Sequence, residues 1–369
     1  MTSAVDTTRI RRLLDRPFTV GDLTVANRIA MAPMTRNMSP GGVPGSDVAE
    51  YYARRAANNV GLIITEGTYI NRTAAAAYDN VPHFYGEQSL AGWAQVAEQV
   101  HLAGGRIIPQ LWHTGVARTA TEPPADSPSG VGLAGESAGK AMTQADIDDT
   151  VAAFAEGAAA AERLGFDGAE LHGAHGYLID SFLWSGTNQR TDGYGGDPAS
   201  RARFAVEIVE AVRAAVSPGF PIFFRLSQWK SGNYEAKLAE NPGELEQILA
   251  PLVAAGVDAF HASTRRYWLS EFEGSDLNLA GWVKKLTGKP TVTVGSVGLD
   301  QEFVGAAGWQ KQAAVAGIDQ LLDRLERDEF DLIAVGRALL ANPDWVTKAL
   351  QGRLDETIAF DRGVLKSLR

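Results

Sequence analysis

Six short clusters in this chain have the residue types and spacing to do chemistry. The densest is His172-Gly-Ala-His175-Gly-Tyr177, two imidazoles and a phenol in a single turn-like segment. Ring N–H groups from two histidines can converge on one carbonyl or nitro oxygen, and one such donor aimed at developing negative charge is worth ~10²–10³ in rate. Metal ligation is the competing chemistry. No His-Glu-x-x-His pattern accompanies the pair, and the nearest carboxylate, Glu170, has Arg225 as an available partner. Two ordinary turn histidines are the plain alternative. Tyr177 is a phenolic proton donor, or an aromatic packed over a rim. Arg225 lies between Phe224 and Leu226, and a guanidinium buried there needs an anion, either from a ligand or from Glu170. Gly295-Ser296 and Gly336-Arg337 set glycine beside a hydroxyl and a cation, as a phosphate cradle requires, although tight turns with a surface arginine would read alike. Gln110 offers both a donor and an acceptor, and Thr35 a turn hydroxyl.

Those residues share one placement: each follows or ends a short apolar run. Eight runs stand out, at 28–32, 61–65, 106–111, 166–171, 221–226, 257–262, 290–294 and 331–335. Rich in Ile, Val, Leu, Ala and Phe, they read as strands buried on both faces. Between them lie stretches of helical period at 90–103, 143–164, 200–216, 244–254 and 319–327. Thr143 with Asp146 gives a capping-box variant, and Gly165 stands where that helix should stop. Strand starts recur about every 43 residues, so the βα loops are elaborated. Eight alternations predict an α/β fold, a single (β/α)₈ barrel over 17–350, with a 1–16 extension and a 351–369 tail forming one domain. The glycine-rich dinucleotide turn is missing after the first run, where Pro33-Met34-Thr35-Arg36 stands instead. Phe18–Val25 reads as a hairpin able to plug the barrel's N-terminal end. The segments 116–140 and 301–317 lack periodicity; the first is expected to lie near the active face.

Composition removes several other classes. Of 369 residues none is cysteine, which excludes disulfides, thiolate metal sites, cysteine-held clusters and a cysteine nucleophile. Thirty-four basic against 44 acidic residues give a net charge of −10, which argues against nucleic acid or an anionic membrane as partner. No run approaches the ~20 apolar residues of a membrane span, and no apolar signal region follows the N-terminus. A cytoplasmic protein, monomer or homo-oligomer, is expected.

Taken together, Met31-Ala-Pro-Met-Thr-Arg36, Gln110-Leu-Trp-His113, His172–Tyr177, Asn188-Gln-Arg-Thr-Asp-Gly-Tyr-Gly-Gly196, Arg201-Ala-Arg-Phe204 and Gly336-Arg-Ala-Leu-Leu-Ala-Asn-Pro-Asp344 resemble the Old Yellow Enzyme family of FMN-dependent ene-reductases. The likeness covers about 17–350. It implies noncovalent FMN, reduction by NADH or NADPH, and ping-pong reduction of activated alkenes such as α,β-unsaturated carbonyls and nitroalkenes. It also implies roles. Pro33, Met34, Thr35, Gly67, Gln110, His172 and Arg225 would contact the isoalloxazine; Gly295, Ser296, Gly336 and Arg337 would hold the phosphate. His172 and His175 would hold the substrate oxygen, Tyr177 would deliver the proton, and Trp112, Tyr78 and Trp268 would line the pocket. Thr35 stands where another branch carries cysteine. The tail 360–369 lacks the tyrosine-bearing segment of many relatives, so no substrate contact is expected from it. A metal is not expected. Two other readings stay open: a non-redox barrel enzyme of aldolase or isomerase type, which would want a strand-borne lysine, and an FMN-binding protein without alkene turnover.

Overall fold

Short apolar runs become strands here because both of their faces are covered. The computed structural model describes residues 7–118, 122–302 and 312–369. Helix α1 (Thr7–Leu14) leads into a hairpin of β1 (Phe18–Val20) and β2 (Leu23–Val25), then β3 (Ile29–Met31), α2 (Ser46–Ala57), β4 (Leu62–Tyr69), α3 (Glu87–Leu102) and β5 (Ile107–Trp112). An excursion carrying β6 (Asp126–Ser127) and β7 (Lys140–Ala141) precedes α4 (Gln144–Arg163), β8 (Ala169–His172), α5 (Leu178–Leu183), α6 (Pro198–Ala215) and β9 (Ile222–Leu226). There follow α7 (Pro242–Ala255), β10 (Ala259–Ser263), α8 (Leu279–Thr287), β11 (Thr291–Val294), α9 (Asp319–Glu326), β12 (Leu332–Val335), α10 (Arg337–Ala341) and α11 (Trp345–Leu350).

Strands β3, β4, β5, β8, β9, β10, β11 and β12 pair in parallel in that order, and β12 returns to β3 to close a barrel. The fold is the expected (β/α)₈ barrel. All eight anticipated strands are present, with shifts of one to three residues at several ends and one larger difference in extent. β4 runs past Thr65 to Tyr69, all eight of its residues buried, through a register shift between Ile64 and Gly67. A bulge there lets the strand bend as it reaches the active face.

Register is set at the opposite end by acidic side chains. Asp167, Asp258 and Asp331 stand just before β8, β10 and β12, and each accepts the first N–H of the neighbouring strand, at Ile107, Ile222 and Thr291, over 2.8, 2.8 and 3.0 Å. A strand slipped by one residue would lose these bonds and turn its side chains to the other face. The helices start on equally local signals. Thr143 and Asp146 form the reciprocal capping box of α4, and Gly165 follows its end at φ +84°. Asp197 caps α6 ahead of Pro198, and Asn241 caps α7 ahead of Pro242. Helices α1, α2, α5, α8, α10 and α11 add to the five read from periodicity.

Two apolar layers result. The larger lies between barrel and helices; the smaller fills the barrel's lower interior, where Val20, Leu23 and Val25 of the hairpin meet Ala30, Ile64, Ile108, Phe223 and Val292. Asp22 N–H donates to the Gly219 carbonyl over 2.8 Å and fixes the plug. The excursion after β5 lies near the active face as expected: Leu133 packs so closely over Gly176 that a Cβ there would stand 2.7 Å from it. Of 301–317, residues 303–311 lie outside the described residues, as do 119–121 of 116–140. Leu23→Ala would open a void in a layer that cannot collapse onto helices. A loss of about 2–5 kcal/mol is expected by chemical denaturation, and a loss below about 1 kcal/mol would show that the hairpin is peripheral.

Candidate active site

The strands' C-terminal ends surround a cavity of about 620 Å³. Most of the residues singled out by chemistry line it: Pro33, Met34 and Thr35 after β3, Tyr78, Gln110 and Trp112 on β5, His172, His175 and Tyr177, Arg225, Gly295 and Ser296, and Gly336 and Arg337. Two do not. Gly67 lies behind Trp112, where a Cβ would stand 2.5 Å from the indole, so its missing side chain makes room for that ring. Trp268 packs on Tyr267 at 5.1 Å and its carbonyl accepts from Arg324, away from the cavity.

The turn after β8 is built tightly. His175 sits at φ +66° and Gly176 at φ +81°, which reverses the chain and returns Tyr177 beside His172. Ring centroids of His172 and His175 are 5.1 Å apart, and those of His172 and Tyr177 are 4.8 Å apart. Trp112 closes the group edge-on to Tyr177 at 4.8 Å. Burial and the Arg225 charge push both histidines well below the ordinary imidazole range, so both are neutral near pH 7. Burial raises the Tyr177 phenol above its ordinary value, so its proton stays on.

Arg225 is buried, and among the described residues no carboxylate stands at hydrogen-bond distance from it. Glu170 spends one oxygen on the Gln110 amide and the other on His261 Nδ1, both at 2.7 Å, so the internal Arg225–Glu170 bridge held open by the sequence is not formed. Arg225 Nη2 donates instead to Ser263 Oγ over 3.3 Å, and His175 Nε2 meets the same hydroxyl at 2.8 Å. At the far side, Gly295 takes φ +149° against Thr264, where a Cβ would stand 2.5 Å from its hydroxyl, and Ser296 takes φ +56°. Arg337 Nη2 donates to Ser296 Oγ over 3.1 Å.

Sequence reasoning did not find Trp229, Ser263, Arg265, Arg362 or Leu365, which also line the cavity. Ser263 ends β10 one residue beyond the expected strand, so a longer strand would have disclosed it. Trp229 stacks on His175 at 4.2 Å, and no local pattern announces that. Arg362 and Leu365 bring the tail against the cavity rim although it lacks the tyrosine.

Four buried nitrogens around the cavity have no protein partner among the described residues: Trp112 Nε1, His172 Nδ1, Arg225 Nε and Arg337 Nη1. A buried polar group left unpaired is costly. Their spread, from three strand ends to the Ser296–Arg337 cradle, suits a ligand with a polar heterocycle at one end and an anion at the other. FMN has that form, and the residues present fit it.

Fold and site together define a flavin-dependent barrel oxidoreductase, and comparison with known proteins agrees. Residues 14–356 match the NADH:flavin oxidoreductase / NADH oxidase family. The NADH oxidase of Thermoanaerobacter brockii is 33% identical over 91% of this chain, which spans 50% of that protein's length. The 12-oxophytodienoate reductase 7 of Oryza sativa subsp. japonica is 30% identical over 90% of this chain and 86% of its own. A morphinone reductase structure in complex with tetrahydroNAD superposes with a TM-score of 0.77 at 28% identity, covering 92% of this chain and 91% of that one. The chain belongs to the NADH:flavin oxidoreductase / NADH oxidase family, which is the Old Yellow Enzyme family. It is an FMN-dependent oxidoreductase that takes reducing equivalents from NADH or NADPH and reduces activated alkenes.

Behind the Thr35 turn, Glu66 is fully buried and its Oε2 accepts the Arg36 N–H over 2.8 Å. Burial pushes its carboxyl up to about 7. A folded-state value above the unfolded one means that the native state holds the proton longer, so stability falls as pH rises from about 4.5 through about 7. Glu66→Gln keeps an acceptor without the charge. Its melting temperature relative to wild type should rise as pH goes from 5 to 8; a difference independent of pH would show that the folded state does not raise the Glu66 carboxyl above its unfolded value.

Proposed function

We propose that the cavity binds FMN and substrate together, that one site serves both half-reactions, and that the chain acts as one catalytic domain. Pro33, Met34, Thr35, Gln110 and Arg225 would hold the isoalloxazine, with Gly295, Ser296, Gly336 and Arg337 around the phosphate. Arg225 would supply positive charge where reduction places negative charge, a role supported by its burial without an ion partner among the described residues. FMN held there would supply the hydride-transfer chemistry that links nicotinamide to the alkene.

The remaining work falls to the chain. His172 and His175, neutral in this setting, act as N–H donors that grip the substrate carbonyl or nitro oxygen and draw electron density from the alkene. Tyr177 holds a proton at Oη and transfers it to the α-carbon as charge develops there. Trp112 and Tyr78 wall the substrate. The observation that carries this reading is the meeting of His172, His175 and Tyr177 on one wall, with ring centroids 4.8–6.1 Å apart.

An aldolase-type reading needs an accessible lysine. Lys230, just beyond β9, has a fully buried side chain paired with Asp180 and does not line the cavity. A cytoplasmic location, as monomer or homo-oligomer, belongs to the same proposal. Among the described residues no helix is long and apolar enough to cross a membrane.

The protein should purify yellow and release FMN on denaturation. Arg225→Ala should weaken FMN retention or lower the flavin's reduction potential, and unchanged values of both would remove Arg225 from the cofactor site. Stopped-flow separates the remaining roles. Replacing both histidines by Ala should weaken phenol binding and slow alkene reduction on the order of 10² or more. Tyr177→Phe should spare phenol binding and flavin reduction while slowing the alkene half-reaction about 10²–10⁴-fold. Equal slowing of both half-reactions by Tyr177→Phe would sink its assignment as proton donor, and FMN binding without alkene turnover in the wild type would sink the substrate reading.

A further inference from the structure

Beside the cavity, but not lining it, lies a buried ion pair with no part in the chemistry described so far. Lys230 Nζ meets Asp180 Oδ1 at 2.8 Å, and both side chains are fully buried. We propose that Asp180 and Lys230 are positioning residues, the device that presents His175 to the substrate; this rests on the reading of His175 as a donor to the substrate oxygen.

The contacts form a closed circuit around one strained residue. His175 holds a left-handed φ of +66°, a conformation that disfavours any residue with a Cβ and persists only where the surroundings impose it. Asp180 Oδ2 accepts the N–H of the next residue, Gly176, over 2.6 Å. On the other side, Lys230 Nζ donates to the Ser227 carbonyl over 3.4 Å, and the Ser227 hydroxyl accepts the His175 N–H over 2.9 Å. The His175 carbonyl accepts from Ser231 N–H over 2.9 Å, so the turn after β8 pairs with the loop after β9 like a scrap of sheet. Trp229 precedes Lys230 and lays its ring on the imidazole at 4.2 Å, 21° from parallel. Its Nε1 donates to the Ser263 carbonyl over 3.2 Å.

The pair therefore joins two loops that carry the two sides of His175: the backbone turn from β8 and the stacked ring from β9. Neither loop has another fully buried charge bridging it to its neighbour among the described residues. Two buried charges are weak evidence for stability, because apolar residues of similar volume often serve as well or better. What an apolar pair cannot do is bind Gly176 N–H and the Ser227 carbonyl in one fixed geometry. The ion pair is retained in this reading for alignment of the imidazole.

The test uses the FMN-loaded full chain and the affinity for p-hydroxybenzaldehyde, a phenol, followed by the long-wavelength absorbance change of the bound flavin. His175→Ala sets the reference. Asp180→Asn, Lys230→Met and the apolar double variant Asp180→Leu/Lys230→Met are compared, each with and without His175→Ala. Each should bind the phenol roughly tenfold more weakly, the scale of one misaligned hydrogen bond, with FMN content retained. The double variant should recover thermal stability without recovering phenol affinity. In the His175→Ala background the same changes should cost little more, because they act through that residue. Wild-type phenol affinity in the double variant, or losses that add in full to His175→Ala, would overturn the proposal. If His175→Ala itself left phenol affinity unchanged, the reading of His175 as a donor would fall first, and this one with it.

Discussion

A barrel interior that buries a guanidinium must also hold a counter-charge, and in this chain Glu170 is that charge. It stands on β8 facing inward, fully buried, and stays ionised despite burial because His261, Arg225 and Gln110 favour its charged form. An ionised carboxylate only accepts, so the His261 proton is on Nδ1 and the Gln110 amide turns its NH₂ toward Glu170. That orientation leaves the Gln110 carbonyl oxygen for whatever occupies the cavity. Arg225 gains the field of Glu170 without being held by it, and its guanidinium is left to reach Ser263 and the cavity. Had the two formed a direct bridge, Arg225 would have been drawn down into the barrel and lost to the site.

How much of this could be read from the chain depends on the range of the forces involved. The eight strands, the α4 capping box and the plugging hairpin were legible because burial pattern and turn chemistry are local. The cavity's chemistry was largely legible for a related reason: a parallel barrel covers both faces of each strand, so polar groups concentrate at strand ends, where sequence position gives location. Partnerships across the barrel were not. Arg225 and Glu170 look like a pair in one dimension, yet register places Glu170 beside Gln110, opposite it on β5, and His261 takes its second oxygen. Gly67 gives close approach to the Trp112 indole, which no local pattern announces. Trp268 is one residue past Tyr267 and belongs to the outer shell.

The tail illustrates the same limit at longer range. Arg36, just after the Thr35 turn, sends its guanidinium to the carbonyls of Leu365 and Ser367 over 3.4 and 3.0 Å. Arg55 on α2 lies 3.8 Å from the Tyr51 ring and donates to the Tyr51, Leu339 and Arg369 carbonyl oxygens over 2.9, 3.2 and 2.5 Å. Two arginines on adjacent elements thus fasten the chain's last residues to the cavity rim, and Glu66 fixes the backbone of the first of them. Sequence could show only that a tyrosine was missing from the tail. The carbonyls that dock it belong to any residue, so no side-chain pattern marks them.

Charge distribution completes the argument from composition. The whole chain is acidic at −10, yet the cavity lining contains Arg36, Arg225, Arg265, Arg337 and Arg362 and, among the described residues, no carboxylate. Arg265 is balanced by Glu302 over 2.8 Å behind the wall, while Arg225 and Arg337 keep buried nitrogens without a protein partner. A concave, low-dielectric site lined by one sign of charge focuses its field into the opening. Small anions that can enter the cavity meet the opposite field. FMN phosphate and the dinucleotide reductants are ligands of that kind, so the cavity's charge is consistent with the class the site accepts.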